Sequence, residues 1–156
     1  VCIVPEKREE RTTEGGLDVA GDDNRLASFI APLREAGCRI SLFIGHEESQ
    51  IRAAARIGAA VVELHTGAYC DYHYEGNFAK RDAELAALIE GATLAHSLGL
   101  EVHAGHGLTF ETVKPIATIP EVMELNIGHF LMAESLFIGM EAAILQMRAL
   151  MDEVRG

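Results

Sequence analysis

The chain has 156 residues, 49% of them hydrophobic and 24% charged, with a formal net charge of −11. That composition fits one globular domain, expected to span residues 1–156, whose negative surface repels nucleic acid and anionic membranes. No run of 18 apolar residues exists, so no membrane-spanning helix is expected. The three cysteines form no CxxC pair, which favours reduced thiols in a cytoplasmic protein over a disulfide framework.

Residues 1–4 form a short apolar run closed by Pro5, which reads as a buried strand entered midway rather than as a secretory leader. A long polar loop follows over 6–16, ending in Gly15-Gly16, and is the candidate for a mobile lid. Leu26, Phe29, Ile30 and Leu33 then recur at helical spacing, predicting a helix over 22–37 that Gly37 stops. A second strand is expected over 39–44, with a helix over 47–57 that His46 is expected to cap. The third strand spans 60–64, followed by a loop-like stretch over 66–77 rich in Gly, Asp and Tyr. A long helix is predicted over 78–98 on the spacing of Leu85, Leu88, Ile89 and Ala92. The fourth strand covers 100–104, a short helix 110–117 and the fifth strand 122–127. Two helical stretches, 130–138 and 140–154, finish the chain. The five methionines at 123, 132, 140, 147 and 151 read as core or interface filler.

Strands alternating with helices imply a parallel sheet with right-handed crossovers. Such strands are normally apolar on both faces, yet three of these turn polar at their C-terminal ends. They read Glu63-Leu64-His65-Thr66-Gly67, His103-Ala104-Gly105-His106-Gly107 and Glu124-Leu125-Asn126-Ile127-Gly128-His129. Alternation puts Glu63 and His65 on one side of their strand. A lone strand Glu or His is readily structural; polar ends on three strands together point to a shared site. Gly105, Gly107 and Gly128 would let the backbone turn tightly or approach a ligand. A phosphate could be held there by helix N-terminal N–H groups despite the overall charge.

The motifs Val4-Pro5-Glu6-Lys7-Arg8, Thr12-Thr13-Glu14-Gly15-Gly16-Leu17-Asp18 and the three strand ends, in this order, resemble the pyridoxine 5'-phosphate synthase family. The resemblance covers essentially the whole chain. It implies a (β/α)8 (TIM) barrel, of which this chain supplies the last five βα units plus a short extra phosphate-binding helix. It also implies condensation of 1-deoxy-D-xylulose 5-phosphate with 3-amino-2-oxopropyl phosphate to pyridoxine 5'-phosphate, inorganic phosphate and water, without metal or organic cofactor. By resemblance, His106 is a general acid and Glu63 a transition-state-stabilising carboxylate. Gly107, Gly128 and His129 hold the amino-ketone phosphate, and Thr12 contacts the deoxyxylulose phosphate. The family is oligomeric, and apolar positions near 130–140 are the expected subunit contacts. The family's first three strands, with an acid/base His and an acid/base Glu, have no counterpart here. The chain is therefore expected to be part of a longer barrel and inactive alone. Two other readings stay open. One is a metal-dependent barrel lyase or isomerase acting on a sugar phosphate, ligated by Glu63, His65, His103, His106 and His129, although no HxH or HExxH spacing occurs. The other is a non-catalytic phosphate-binding fragment.

Overall fold

The computed structural model describes residues 1–5 and 15–155. Its strands are β1 (Cys2–Ile3), β2 (Ser41–Ile44), β3 (Val61–His65), β4 (Glu101–Gly105) and β5 (Val122–Asn126). They form one sheet, wholly parallel, in the order β1-β2-β3-β4-β5. Between them run α1 (Asp23–Glu35), α2 (Glu48–Ile57), α3 (Gly67–Tyr74), α4 (Phe78–Ser97) and α5 (Val113–Ala117). After β5 come α6 (His129–Ile138) and α7 (Met140–Arg155). Of the predicted loop over 6–16, the candidate lid, residues 6–14 with Thr12 lie outside the described residues.

Each strand is added on the same side of its predecessor, so crossovers of one hand lay the intervening helices on one face of the sheet. The side chains bear this out. Leu42, Ile44, Val62, Leu64, Val102 and Ala104 are buried in the core with Leu26, Ile30, Ile51, Leu88 and Ile116 from the helices. Each of the large ones contributes roughly 1.5–3 kcal/mol by leaving water. The alternate residues Phe43, Glu63, His65, Glu101, His103, Glu124 and Asn126 face the other way. One sheet face is thus apolar under helices, and the other is polar.

The last strand reaches that polar face through a bulge. Val102 pairs with Val122, but His103 pairs with Glu124, so Met123 is left over. The extra residue resets the alternation. Val122 stays in the core, while Glu124 and Asn126 join Glu63 and His103.

Several expectations need correction. The stretch after β3 is not a loop but the helix α3, because Tyr69 and Cys70 are buried and Tyr69 Oη donates to the Thr112 carbonyl at 3.2 Å. Tertiary burial overrides its weak local preference. Phe29 and Ile89, members of the apolar spacing that predicts these helices, are exposed; Leu26, Ile30 and Leu88 carry the packing of their helices. His46 caps nothing. Glu47 is the N-cap of α2, and His46 Nδ1 lies 3.3 Å from Glu84 on α4. Of the methionines, Met147 is core, while Met123, Met132 and Met140 are exposed.

The foot of α7 is tied to the sheet by Arg155. Its guanidinium donates to the carbonyls of Ala117 (2.7 Å), Ile119 (2.9 Å) and Val122. Helix α6 contributes no buried residue, and its Leu136 and Phe137 are each 84% exposed.

Candidate active site

At the C-terminal ends of the strands lies a cleft of about 520 Å³. Glu63, His106, Gly107, Gly128 and His129 all line it, together with Phe43 and Asn126. The sheet register explains the gathering: Phe43 lies beside Glu63, and His65 beside Gly105, which in turn pairs with Asn126.

Glu63 projects from the middle of β3. Its Oε2 accepts from Asn126 Nδ2 at 2.9 Å and faces the Cys2 thiol at 3.7 Å. Burial pushes its pKa above the ordinary carboxylate value, against these two hydrogen bonds and the nearby His103, which all act to lower it. The Cys2 thiol is itself pushed up by burial, so it stays protonated and can donate. Gly105 makes this arrangement possible. A Cβ there would stand 2.5 Å from Glu63 Oε1 and 2.8 Å from the Asn126 carbonyl.

His106 ends the strand in a left-handed conformation, φ +80°, and its side chain is exposed to the cleft. Gly107 follows at φ +77° and passes close over α3, where a Cβ would meet Cys70 Cβ at 3.2 Å. Gly128 differs from the other two glycines. Its φ is −103°, and a Cβ there would meet nothing within 4 Å, so neither strain nor crowding demands glycine. What it leaves is open space at the start of α6. That helix has no side-chain cap, and the first N–H groups of any helix lack partners within it. His129 is its first residue. Open N–H donors beside an imidazole suit an anion.

His65, expected on the same side of its strand as Glu63 and considered in sequence only as a metal ligand, lies beside His106. Its ring lies 5.0 Å from His106 and 5.0 Å edge-on from Phe43. Its Nε2 is buried without a partner. Burial first, and the neighbouring His106 second, depress its pKa to about 4, so the ring is neutral at physiological pH. Gly67 gives it room, since a Cβ there would come within 2.6 Å of its ring. Asn126 belongs to one of the polar strand ends, but its bond to Glu63 depends on the bulge at Met123, which is invisible in sequence.

His103 belongs elsewhere. Its Nε2 is 2.8 Å from Glu101 and its Nδ1 3.5 Å from Glu124. Glu101 also pairs with Arg39 at 2.5 Å, and Arg39, then His103, hold its pKa down at about 2. This ion cluster sits below the cleft. The five side chains read as one possible ligand set are therefore divided. Among the described residues, no three His, Cys, Asp or Glu side chains are grouped to hold a metal ion. No helix is long and apolar enough to cross a membrane among the described residues.

Comparison with known proteins places the chain among relatives of one kind. Residues 1–153 match the family described as pyridoxal phosphate biosynthesis protein PdxJ. A pyridoxine 5'-phosphate synthase of Roseobacter denitrificans is 72% identical over 155 residues, covering 99% of this chain and 62% of the relative. That of Jannaschia sp. is 71% identical over 154 residues, with the same coverage. That of Caulobacter vibrioides is 58% identical over 154 residues, covering 99% and 61%. The chain thus spans about 62% of the length of the curated relatives it matches.

Proposed function

The chain belongs to the PdxJ family of pyridoxal phosphate biosynthesis proteins, and from that premise we propose that it forms the larger part of a pyridoxine 5'-phosphate synthase. The reaction joins 1-deoxy-D-xylulose 5-phosphate to 3-amino-2-oxopropyl phosphate, releasing inorganic phosphate and water. The observation that carries this reading is the meeting of Glu63, His106, Gly107, Gly128 and His129 in one cleft beside an uncapped helix start.

We read residues 1–156 as a single domain, the last five units of a (β/α)8 barrel. Two features support this: the strands follow one another in sequence order, and the helices keep to one face. The polar face would then line the barrel, with the remaining three units joining the free edges of β1 and β5. Those units would carry the second half of the site, and the 156 residues alone would turn nothing over. The short α6 ahead of α7 fits the extra helix that binds phosphate after the last strand of many barrels.

In this reading His106 protonates a leaving hydroxyl, which suits an imidazole open to the cleft. Glu63, fixed by Asn126, stabilises iminium-like cations formed during ring closure. Gly107, Gly128 and His129 seat the amino-ketone phosphate at the start of α6. Thr12 contacts the deoxyxylulose phosphate. None of these steps calls on a metal or cofactor. We place the protein in the cytoplasm as a homo-oligomer, with the exposed apolar side chains of α6 as subunit contacts.

The test is to incubate the complete barrel with both substrates and follow pyridoxine 5'-phosphate by fluorescence-detected chromatography. His106→Asn should cut turnover about 100-fold or more. Unchanged turnover would remove the acid role, and no product from the folded wild-type barrel would sink the assignment.

A further inference from the structure

We propose that Thr66 is a positioning residue that locks His106 into its left-handed backbone and so aims the imidazole into the cleft. The inference rests on the reading of His106 as the acid.

Among the described residues, His106 is the only non-glycine with positive φ. That conformation is disfavoured for any residue with a Cβ, and it persists only where the surroundings impose it. Here one hydroxyl supplies the restraint. Thr66 Oγ1 lies 2.7 Å from the Gly105 carbonyl and 2.6 Å from the His106 carbonyl, and donates its proton between them. The first carbonyl belongs to the peptide before His106 and the second to the peptide after it. Their orientations set φ and ψ of His106, so a single side chain fixes both dihedrals. The Thr66 N–H adds a second bond to Gly105, at 2.8 Å.

Apart from the neighbouring Cys70 thiol, the hydroxyl is given over to these two carbonyls. Thr66 is the N-cap of α3, where a threonine ordinarily turns its oxygen back to accept from the helix's own N–H groups. Thr66 makes no such bond and is wholly buried. Its side chain is spent on the neighbouring strand end instead of on its own helix.

The base of this clamp is rigid. Cys70 lies against Gly107, Tyr69 Oη donates to the Thr112 carbonyl, and the Tyr74 and Thr109 hydroxyls are hydrogen-bonded at 2.5 Å. Helix α3 therefore grips the segment after His106 at three points, while Thr66 grips the peptides on either side of it. The neutral His65 ring forms the floor beneath the imidazole.

The experiment compares Thr66→Val, Thr66→Ser, Thr66→Ala and His106→Asn in the complete barrel. Thr66→Val keeps the shape and removes the hydroxyl. It should lower kcat about 10–100-fold, as expected for a misplaced catalytic group, with KM for both substrates changed no more than about twofold. Thr66→Ser should retain near-normal kcat and Thr66→Ala should not. That pair shares the loss of the methyl group and isolates the hydroxyl even if the valine variant fails to fold. Equal losses in Ser and Ala, or normal kcat in Val, would overturn the inference while a crippled His106→Asn left the acid role standing. Normal turnover in His106→Asn would overturn both.

Discussion

His65 and His103 stand on adjacent strands and on the same face of the sheet, yet they live under opposite conditions. His103, below the cleft, has a carboxylate at each ring nitrogen, and Glu101 between it and Arg39 is fully paired. His65, at the cleft, has Phe43 and His106 for neighbours and a buried nitrogen with no partner. The same contrast runs through the rest of the face. Below the cleft, the polar and charged groups are paired with one another. Within it, Glu63 is pushed toward protonation by burial and His106 is held in a strained backbone. One end of the face is arranged to be satisfied, the other to leave groups unsatisfied and available, as sites commonly are.

Three substitutions sharpen this comparison. The largest effect should come from Glu63→Gln. Turnover in the complete barrel should fall about 10²–10³-fold, the scale of a lost electrostatic stabiliser. Thermal stability at neutral pH should not fall with it. Because the folded-state pKa is raised, the unfolded chain ionises more readily, so above pH 4.5 ionisation weighs against folding. Any gain in Tm should appear there and vanish below that pH. A large loss of Tm at pH 7 would break the contrast between the two ends.

His103→Leu should do the reverse. Removing a buried partner of two carboxylates should cost about 1–3 kcal/mol in denaturant unfolding, with turnover per folded molecule within a few-fold of normal. A collapse in turnover at unchanged stability would move His103 into the site.

The smallest effect is in the acid limb of stability. The folded His65 titrates at about 4 against an ordinary 6.5, so the unfolded chain takes up its proton first as pH falls. Its contribution is complete above 6.5 and is lost on the way down to about 4. The Tm of His65→Phe should therefore fall less steeply with acid than that of the wild type between these values. Parallel curves would mean that His65 is protonated in the folded protein.

Much of this could be read from the sequence, because the signals were local. Apolar runs gave the five strands, period-3.6 spacing gave the long helices, the polar strand ends marked where a site would lie, and the family resemblance singled out Glu63, His106, Gly107, Gly128 and His129. What escaped depended on contacts between distant segments. Helix α3 forms because Tyr69 and Cys70 find a core contributed by residues some forty positions away. The ion cluster of Arg39, Glu101, His103 and Glu124 draws on two strands and the segment leading into a third. The role of Thr66 is visible only when the left-handed turn at His106 is seen above it. The exposure of Phe29 was beyond periodicity too, since a helix stripe says which residues face one way but not how wide the covered surface is.

The bulge at Met123 gives the last strand a property of counting. A strand sorts its residues by parity, odd to one face and even to the other, and here one supernumerary residue switches the parity midway. Deleting Met123 would thus straighten the ladder and leave every pair after it in its present phase. Val122 and Leu125 would stay under the helices, Glu124 and Asn126 would keep the polar face, and Glu63 would keep its amide partner.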